Sequence, residues 1–193
     1  MRTIVAWVLS NLSALDGRGF VVQVAGPGAG LRERLEKAVR HHPCDVLFVH
    51  RDAEKEPKER RLKEIRAAAG TAGFPPFVPV VPVRMTEAWL LIDETAIRQA
   101  AGNPNGEAAL PLPKVARLES VADPKGVLRT CLIEASEKTG RRLQQFERDL
   151  PERIQRVAEL ISDFSPLRQL PAFQDFEQEA RRVVTNLLAA PGP

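Results

Sequence analysis

The sequence predicts an α/β protein in which a mainly parallel sheet is flanked by helices and followed by an all-helical extension. Up to about residue 101, short β-rich runs alternate with amphipathic stretches, and this order is typical of parallel α/β sheets. After residue 102, most apolar residues recur at helical spacing. We therefore expect an α/β core over residues 1–101, a helical extension packed on it as one compact unit over residues 102–190, and a frayed tail over residues 191–193.

Composition excludes several classes of protein. Hydrophobic residues make up 44% of the 193 residues and charged residues 27%, so a disordered chain, a collagen and a disulfide miniprotein are excluded. No apolar run reaches the roughly 18–20 residues that span a bilayer, and the start of the chain lacks a signal-peptide pattern. The two cysteines are interpreted as reduced thiols of a cytoplasmic protein. The net charge of +3 does not by itself predict nucleic-acid binding.

Three strands are predicted in the first half, over residues 20–24, 45–50 and 77–83. The third contains Pro79 and Pro82, which cannot donate ladder hydrogen bonds, so we expect an irregular or edge strand there.

Helices separate these strands. Apolar residues at three- and four-residue spacing predict helices over residues 31–42 and 56–69. Residues 3–15 fit both an amphipathic helix, which is favoured, and a buried strand.

The second half is predicted to be helical from local signals. Residues 86–101 fit a helix in two parts that meet near Asp93, and a loop rich in Gly, Pro and Asn follows over residues 102–113. Asp123 and Pro124 suit a helix cap and a first helical turn. The remaining signals are a helix break at Pro151, a turn starting at Ser165 and a last helix over residues 173–187.

The strongest candidate site is the charged block at residues 50–54 (HRDAE), directly after the second predicted strand. Functional groups in parallel α/β sheets collect at the carboxyl ends of strands. Asp52 and Glu54 are two residues apart, so in extended backbone both side chains can point the same way. Mg²⁺ would relieve the repulsion between two such carboxylates and could bridge to a substrate phosphate. The alternative is an ordinary charged loop, since the following residues are also charged.

A second candidate group follows the third predicted strand. Glu87 lies at a strand-to-helix junction and could add a third carboxylate near Asp52. Arg84, like Arg51, is a candidate phosphate ligand. The alternative for Glu87 is stabilisation of a helix N-terminus. Trp89 is interpreted as a core residue.

Weaker signals predict ordinary structure. The glycine-rich residues 26–30 lack the third glycine of a dinucleotide fingerprint and the lysine of a P-loop, so they predict a plain turn. The group His41, His42 and Cys44 lacks the second ligand pair of a zinc site. Three arginine pairs on predicted helices are interpreted as solvated faces, with phosphate contact as the alternative for some of them: Arg60 with Arg61, Arg141 with Arg142, and Arg181 with Arg182.

Residues 49–54 and 82–91 resemble an uncharacterised bacterial Toprim-like family of unknown function, a distant relative of the OLD-type and RloB-like Toprim proteins. Residues 119–125 (ESVADPK) and 165–176 (SPLRQLPAFQDF) are similar to that family's helical tail, so the resemblance covers about residues 20–188. The resemblance depends on the order of all four segments more than on the acidic segment at residues 49–54 alone.

The resemblance implies a Toprim fold, in which a glutamate after the first strand and an Asp-x-Asp pair after a later strand bind Mg²⁺ for phosphodiester chemistry. Asp52 and Glu54 match the Asp-x-Asp position in an Asp-x-Glu form, and Glu87 resembles the acidic residue before Trp in RloB-like relatives. These three residues are thereby implied as catalytic and metal-binding.

The family's first strand, which ends in Glu-Gly, has no counterpart in this sequence. The sequence begins at the helix that follows that strand, which favours a helix over residues 3–15. Either the sequence starts late or the first metal ligand is absent, and we therefore expect weak Mg²⁺ binding.

Two functions stay open as alternatives. The first is a non-catalytic or partner-dependent subunit that acts with an ATPase in a nucleic-acid or phage-defence context. The missing glutamate and the large helical half, whose faces could dock a partner, favour it. The second is a Mg²⁺-dependent nuclease or phosphotransfer enzyme, in which carboxylates hold ions that activate water and stabilise the leaving oxygen. No membrane partner is expected.

Overall fold

The computed structural model describes residues 1–12, 30–71 and 73–189. These residues form a mixed α/β structure that is mostly helical and contains a small sheet of two parallel strands. The strand predicted over residues 20–24, most of the glycine-rich turn at 26–30 and the tail over 191–193 lie outside the described residues.

The described elements follow the predicted order along the chain. The strands are β1 (Leu47–His50) and β2 (Phe77–Val80). The helices are α1 (Arg2–Ser10), α2 (Leu31–His41), α3 (Lys58–Ala69), α4 (Glu94–Ala101), α5 (Pro124–Ser136), α6 (Gly140–Arg148), α7 (Leu150–Leu160) and α8 (Pro171–Ala189). Short 3₁₀ helices lie at Thr86–Leu90, Val115–Ser120 and Ser165–Gln169. None of the helices in the described ranges is long and apolar enough to cross a membrane.

The chain divides into two compact units. Unit 1 comprises the described residues of Met1–Val83 and Ala172–Pro193, and unit 2 comprises Arg84–Pro171. This division differs from the predicted boundary at residue 101. The reason is that α4 packs its apolar face, which includes the buried Ile97 and Ala101, against α5 and α7 of the helical half.

The two strands of unit 1 pair in parallel, with Val49 opposite Pro79. Pairing continues beyond the strands, because the Arg51 N–H donates to the Val80 oxygen at 3.0 Å and the Ala53 N–H donates to the Pro82 oxygen at 3.0 Å. Backbone groups of alternate residues point to opposite sides of a strand. Pro79 therefore has its missing N–H on the side away from β1.

The same alternation explains why β2 ends at Val80 although the sequence predicts a strand to residue 83. Pro82 faces β1 and offers an acceptor there, but it has no N–H to return a hydrogen bond. The ladder loses one bond at this residue, and regular pairing stops before it.

Helices cover both faces of β1. Val49 belongs to a buried cluster with Leu35 of α2 and Ile65 of α3. On the opposite face, the ring of Phe48 lies edge-on to Phe176 of α8, with centroids 6.3 Å apart. Unit 1 thus has three layers, as parallel strands require. Helices α2 and α3 form one outer layer, the sheet forms the middle layer, and α8 forms the other outer layer.

Aspartate caps start two helices of unit 2, and the sequence predicts the cap at Asp123. Asp93 accepts a hydrogen bond from the Ala96 N–H at 2.9 Å, and Asp123 accepts one from the Gly126 N–H at 2.9 Å. The predicted break at Pro151 is confirmed between α6 and α7, and Pro151 itself occupies the first turn of α7.

Glu137 fixes the long loop that follows α4. It lies at the C-terminus of α5 in a left-handed conformation, with φ of 50°. Its Oε1 accepts hydrogen bonds from the backbone N–H groups of Glu107 at 2.7 Å and Ala108 at 3.0 Å. The hydrogen bond from Ala108, and after it the one from Glu107, hold the pKa of the Glu137 carboxyl below its usual value.

The aromatic packing of α8 gives a first test. Phe173 is fully buried, with its ring 6.4 Å from Trp7 and 5.8 Å from Phe176. We expect Phe173→Ala to lower the free energy of unfolding by about 3–5 kcal/mol, because it leaves a cavity in the core. Leu188 lies on the same helix with 52% of its surface exposed, and Leu188→Ala should change stability by less than about 0.5 kcal/mol. Urea denaturation followed by far-UV circular dichroism measures both, and equal effects would contradict the packing.

The Glu137 contacts give a pH-dependent test. A lowered folded pKa stabilises the chain above the unfolded value of about 4.3, and the stabilisation is lost as pH falls through the folded value. We therefore expect Glu137→Gln to lower the urea midpoint of unit 2 near neutral pH and to change it less in acid.

The readout for this test is the fluorescence of Trp89, which lies in unit 2, in a Trp7→Phe background that removes the other tryptophan. Glu134→Gln on the exposed face of α5 is the matched control. A loss of stability in Glu137→Gln that is independent of pH would contradict the assigned role of the ionised carboxyl.

Candidate functional site

The first candidate carboxylate, Asp52, lies just beyond β1 at the carboxyl end of the parallel strand pair. Its Oδ1 is 3.2 Å from Nε2 of His50, and both side chains are about one third exposed. The two residues are separated by one position in extended backbone, so they share a face. Asp52 is therefore positioned as the sequence predicts, and it is already paired with a histidine.

Glu54 occupies a different geometry from the expected one. Its φ is 58°, and the Glu56 N–H donates to the Ala53 oxygen at 3.0 Å, which closes a turn around it. The extended backbone that would point Asp52 and Glu54 the same way thus ends at Ala53. The Glu54 side chain is 66% exposed, and its Oε2 lies 3.7 Å from Nη2 of Arg61.

Arg61 of α3 is the centre of the charge network around this turn. Its Nε donates to the Asp52 backbone oxygen at 3.3 Å, and its Nη1 donates to both Glu64 oxygens at 3.1 and 3.0 Å. The hydrogen bond to Glu64 is the main reason that the pKa of Arg61 is raised. Arg51, the first predicted phosphate ligand, has its Nη2 3.6 Å from Glu64 Oε2.

The other predicted site residues belong to unit 2. Arg84 has a φ of 67°, a conformation that L-residues rarely adopt. Glu87 lies in the first turn of the 3₁₀ helix Thr86–Leu90, where the capping alternative places it. Trp89 is fully buried, which confirms its interpretation as a core residue. The approach of Glu87 to Asp52 stays a prediction.

Metal ligands are not grouped within the part of the chain that the structure describes. Over residues 1–12, 30–71 and 73–189, no three His, Cys, Asp or Glu side chains are placed so that they could hold one ion. The protein's own basic groups instead lie beside Asp52 and Glu54.

Sequence reasoning missed a groove between α3 and α8. It has a volume of about 220 Å³ and an apolar lining that includes Leu62, Val81 and Phe176. Across it, Nζ of Lys58 lies 2.5 Å from Oδ2 of Asp175. These residues are 117 positions apart, so no local pattern could have paired them.

A second ion pair lines the groove on α8. Arg182 Nη2 lies 2.7 Å from Glu179 Oε1. The hydrogen bond from Arg182, and to a lesser extent the charge of Arg66, lower the pKa of Glu179. The acidic side chains of the groove, Asp175 and Glu179, thus have Lys58 and Arg182 as basic partners in its wall.

Comparisons with known proteins add no functional assignment. The chain matches no protein-family model, no curated protein and no solved structure.

The Arg61 network gives a third test. Only 14% of the Arg61 side chain is exposed, against 61% of the side chain of Arg60 at the preceding position of α3. We expect Arg61→Gln to lower the free energy of unfolding by about 1–2 kcal/mol, because charged hydrogen bonds to Glu64 and the turn are lost. Arg60→Gln removes the same charge from an exposed pair and should cost less than about 0.5 kcal/mol. Urea denaturation of both variants measures the difference, and a larger effect of Arg60→Gln would contradict the central position of Arg61.

Proposed function

We propose that this chain is a cytoplasmic Toprim-like protein that acts as a non-catalytic or partner-dependent subunit, with an ATPase as its partner, in a nucleic-acid or phage-defence context. The observation that supports it best is the pairing of both strand-end carboxylates with basic side chains. Asp52 pairs with His50, and Glu54 lies beside Arg61. A carboxylate that serves as a Mg²⁺ ligand would have to exchange such a partner for the ion.

The local charge balance supports the same proposal. The carboxylates of Glu54 and Glu64 lie beside the guanidinium groups of Arg61 and Arg51, and the third carboxylate, on Asp52, lies beside His50. Affinity for a hard cation depends on the number of negative ligands and on the rigidity of the site. The small excess of negative charge, with Glu54 largely exposed, supports at most weak Mg²⁺ binding.

The resemblance to the Toprim-like family supports the proposed setting. OLD-type and RloB-like Toprim proteins are its distant relatives, and the order of the four matching blocks is what this chain shares with it. The partner is proposed from this resemblance and from the large number of helices that present exposed faces.

The second candidate function is a Mg²⁺-dependent nuclease or phosphotransfer enzyme. The position of Asp52 favours it, because catalytic groups of parallel α/β proteins collect beyond the carboxyl ends of strands. In that function Asp52, Glu54 and Glu87 would hold the ion and Arg51 and Arg84 would bind substrate phosphate. Mg²⁺ would supply charge stabilisation and an activated water.

A cleavage assay separates the two functions. We expect the purified chain, with Mg²⁺ or Mn²⁺, to cleave plasmid DNA and single-stranded RNA no faster than Asp52→Ala does. Calorimetric titration should give a Kd for either ion on the order of 1 mM or weaker, because few negative ligands are available. Glu59→Gln, on an exposed position of α3, is the control for removal of one carboxylate.

Metal-dependent cleavage that Asp52→Ala abolishes and Glu59→Gln retains would establish the nuclease and overturn the first proposal. The partner is tested by measuring ATP hydrolysis by an ATPase encoded beside this chain, with and without the chain added. We expect the rate to change, and an unchanged rate would contradict the proposed partnership.

A further inference from the structure

The structure distinguishes the three arginine pairs that look alike in the sequence. Arg60 and Arg61 are both held by glutamates of their own region, and of the pair Arg181 and Arg182 it is Arg182 that has an ion pair, with Glu179. By contrast, neither Arg141 nor Arg142 of α6 has a carboxylate within 4.0 Å among the described residues.

Arg148, at the other end of α6, is unpaired in the same sense. Several helical arginines elsewhere pair with a glutamate three or four positions away, as Arg32 does with Glu36 and Arg156 with Glu159. In α6 the positions at this spacing from Arg141 and Arg148 include Gln144 and Gln145, which are neutral. The five exposed side chains that result are called the α6 surface: Arg141, Arg142, Gln144, Gln145 and Arg148.

The opposite side of α6 is fixed within unit 2. Phe146 is buried, and the guanidinium carbon of Arg153 lies 4.3 Å from its ring centroid, with Nζ of Lys138 at 5.1 Å. These cation–π contacts and the packing of α6 against α5 and α7 orient the helix. The α6 surface is therefore held outward on a rigid element.

Two arginines of the α6 surface place positive charge where it opposes helix stability. Arg141 and Arg142 stand in the first turn of α6, which contains no acidic residue and has no side-chain cap from Thr139. Helices α2, α3, α4 and α7 each have a glutamate in that turn. Cations near a helix N-terminus repel its partial positive charge. A bound anion is instead attracted by the arginines and by the helix N-terminus.

We propose that the α6 surface binds the phosphodiester backbone of a nucleic acid without sequence preference. Guanidinium groups match phosphate oxygens in a bidentate geometry, and exposed glutamine amides donate hydrogen bonds to the same backbone. Three unpaired arginines against one exposed glutamate, Glu147, give this helix of about 13 Å a net positive charge that complements phosphate. The inference deepens the nucleic-acid context of the proposed function, on which it rests for its setting, but its residues lie in unit 2 alone.

The test compares two triple variants of the full chain that lose the same charge. R141Q/R142Q/R148Q removes the α6 arginines, and R32Q/R156Q/R182Q removes three arginines that are held in ion pairs. The probes are a fluorescein-labelled DNA duplex of about 20 base pairs and a labelled RNA strand, in about 50 to 200 mM salt.

We expect the α6 variant to bind at least one probe more than about tenfold more weakly, with the salt slope reduced by about 2–3, since each phosphate contact contributes roughly 0.9. The control triple should lose less than about threefold, because surface ion pairs contribute little.

Unfolding is measured in parallel. Removing Arg141 and Arg142 from the first turn should stabilise α6, and removing Arg148 from the last turn should destabilise it by a similar amount. We therefore expect an almost unchanged urea midpoint, so weaker binding would not reflect loss of structure. Any one of three outcomes would overturn the inference. The first is an equal loss of binding in both triple variants, and the second is no binding of either probe at the lowest salt. The third is binding to phosphatidylserine vesicles with the same dependence on the three arginines. Because this readout is independent of Asp52 and of ATP hydrolysis, a failure here is distinguishable from a failure of the proposed function.

Discussion

The edge-on contact between Phe176 of α8 and Phe48 of β1 closes the second face of the sheet in unit 1. A strand in a parallel pair is apolar on both faces, and α2 and α3 cover only the face that includes Val49. Phe176 covers the other face from the far end of the sequence, and the Lys58–Asp175 ion pair ties the same helix to α3. The position of the turn after β1, and hence of Asp52, follows from a sheet that is closed on both sides in this way.

Local signals in the sequence predicted most of the helices. Asp93 and Asp123 cap helices because each accepts a bond from a backbone N–H three positions later, and that geometry depends only on neighbouring residues. The helical interpretation of residues 3–15 is likewise confirmed by α1, which ends earlier, at Ser10. The return of α8 to β1 could not be predicted, because it joins residues more than a hundred positions apart and no periodicity encodes such a pairing.

The position of Asp52 at the end of a strand was predictable, but its charge environment was not. The location of Asp52 beyond a strand follows from the β-rich run before it. The left-handed turn at Glu54 does not, since glutamate is not a residue that favours positive φ. Nor could the sequence reveal that Arg61 reaches back from α3 to that turn, because this depends on how the helix packs on the sheet. Likewise, Arg-Arg pairs look alike in sequence, and only the placement of glutamates around them separates compensated from uncompensated charge.

The discontinuity of unit 1 sets the order in which the chain can fold during synthesis. Unit 2 is a continuous stretch, Arg84–Pro171, inserted between the two segments of unit 1. A ribosome therefore releases every residue of unit 2 before it releases α8, the helix that covers the second face of β1. Unit 2 can complete its core while the sheet of unit 1 still exposes Phe48. During that interval the growing chain presents an apolar strand face to solvent, and holding chaperones would meet the nascent protein there.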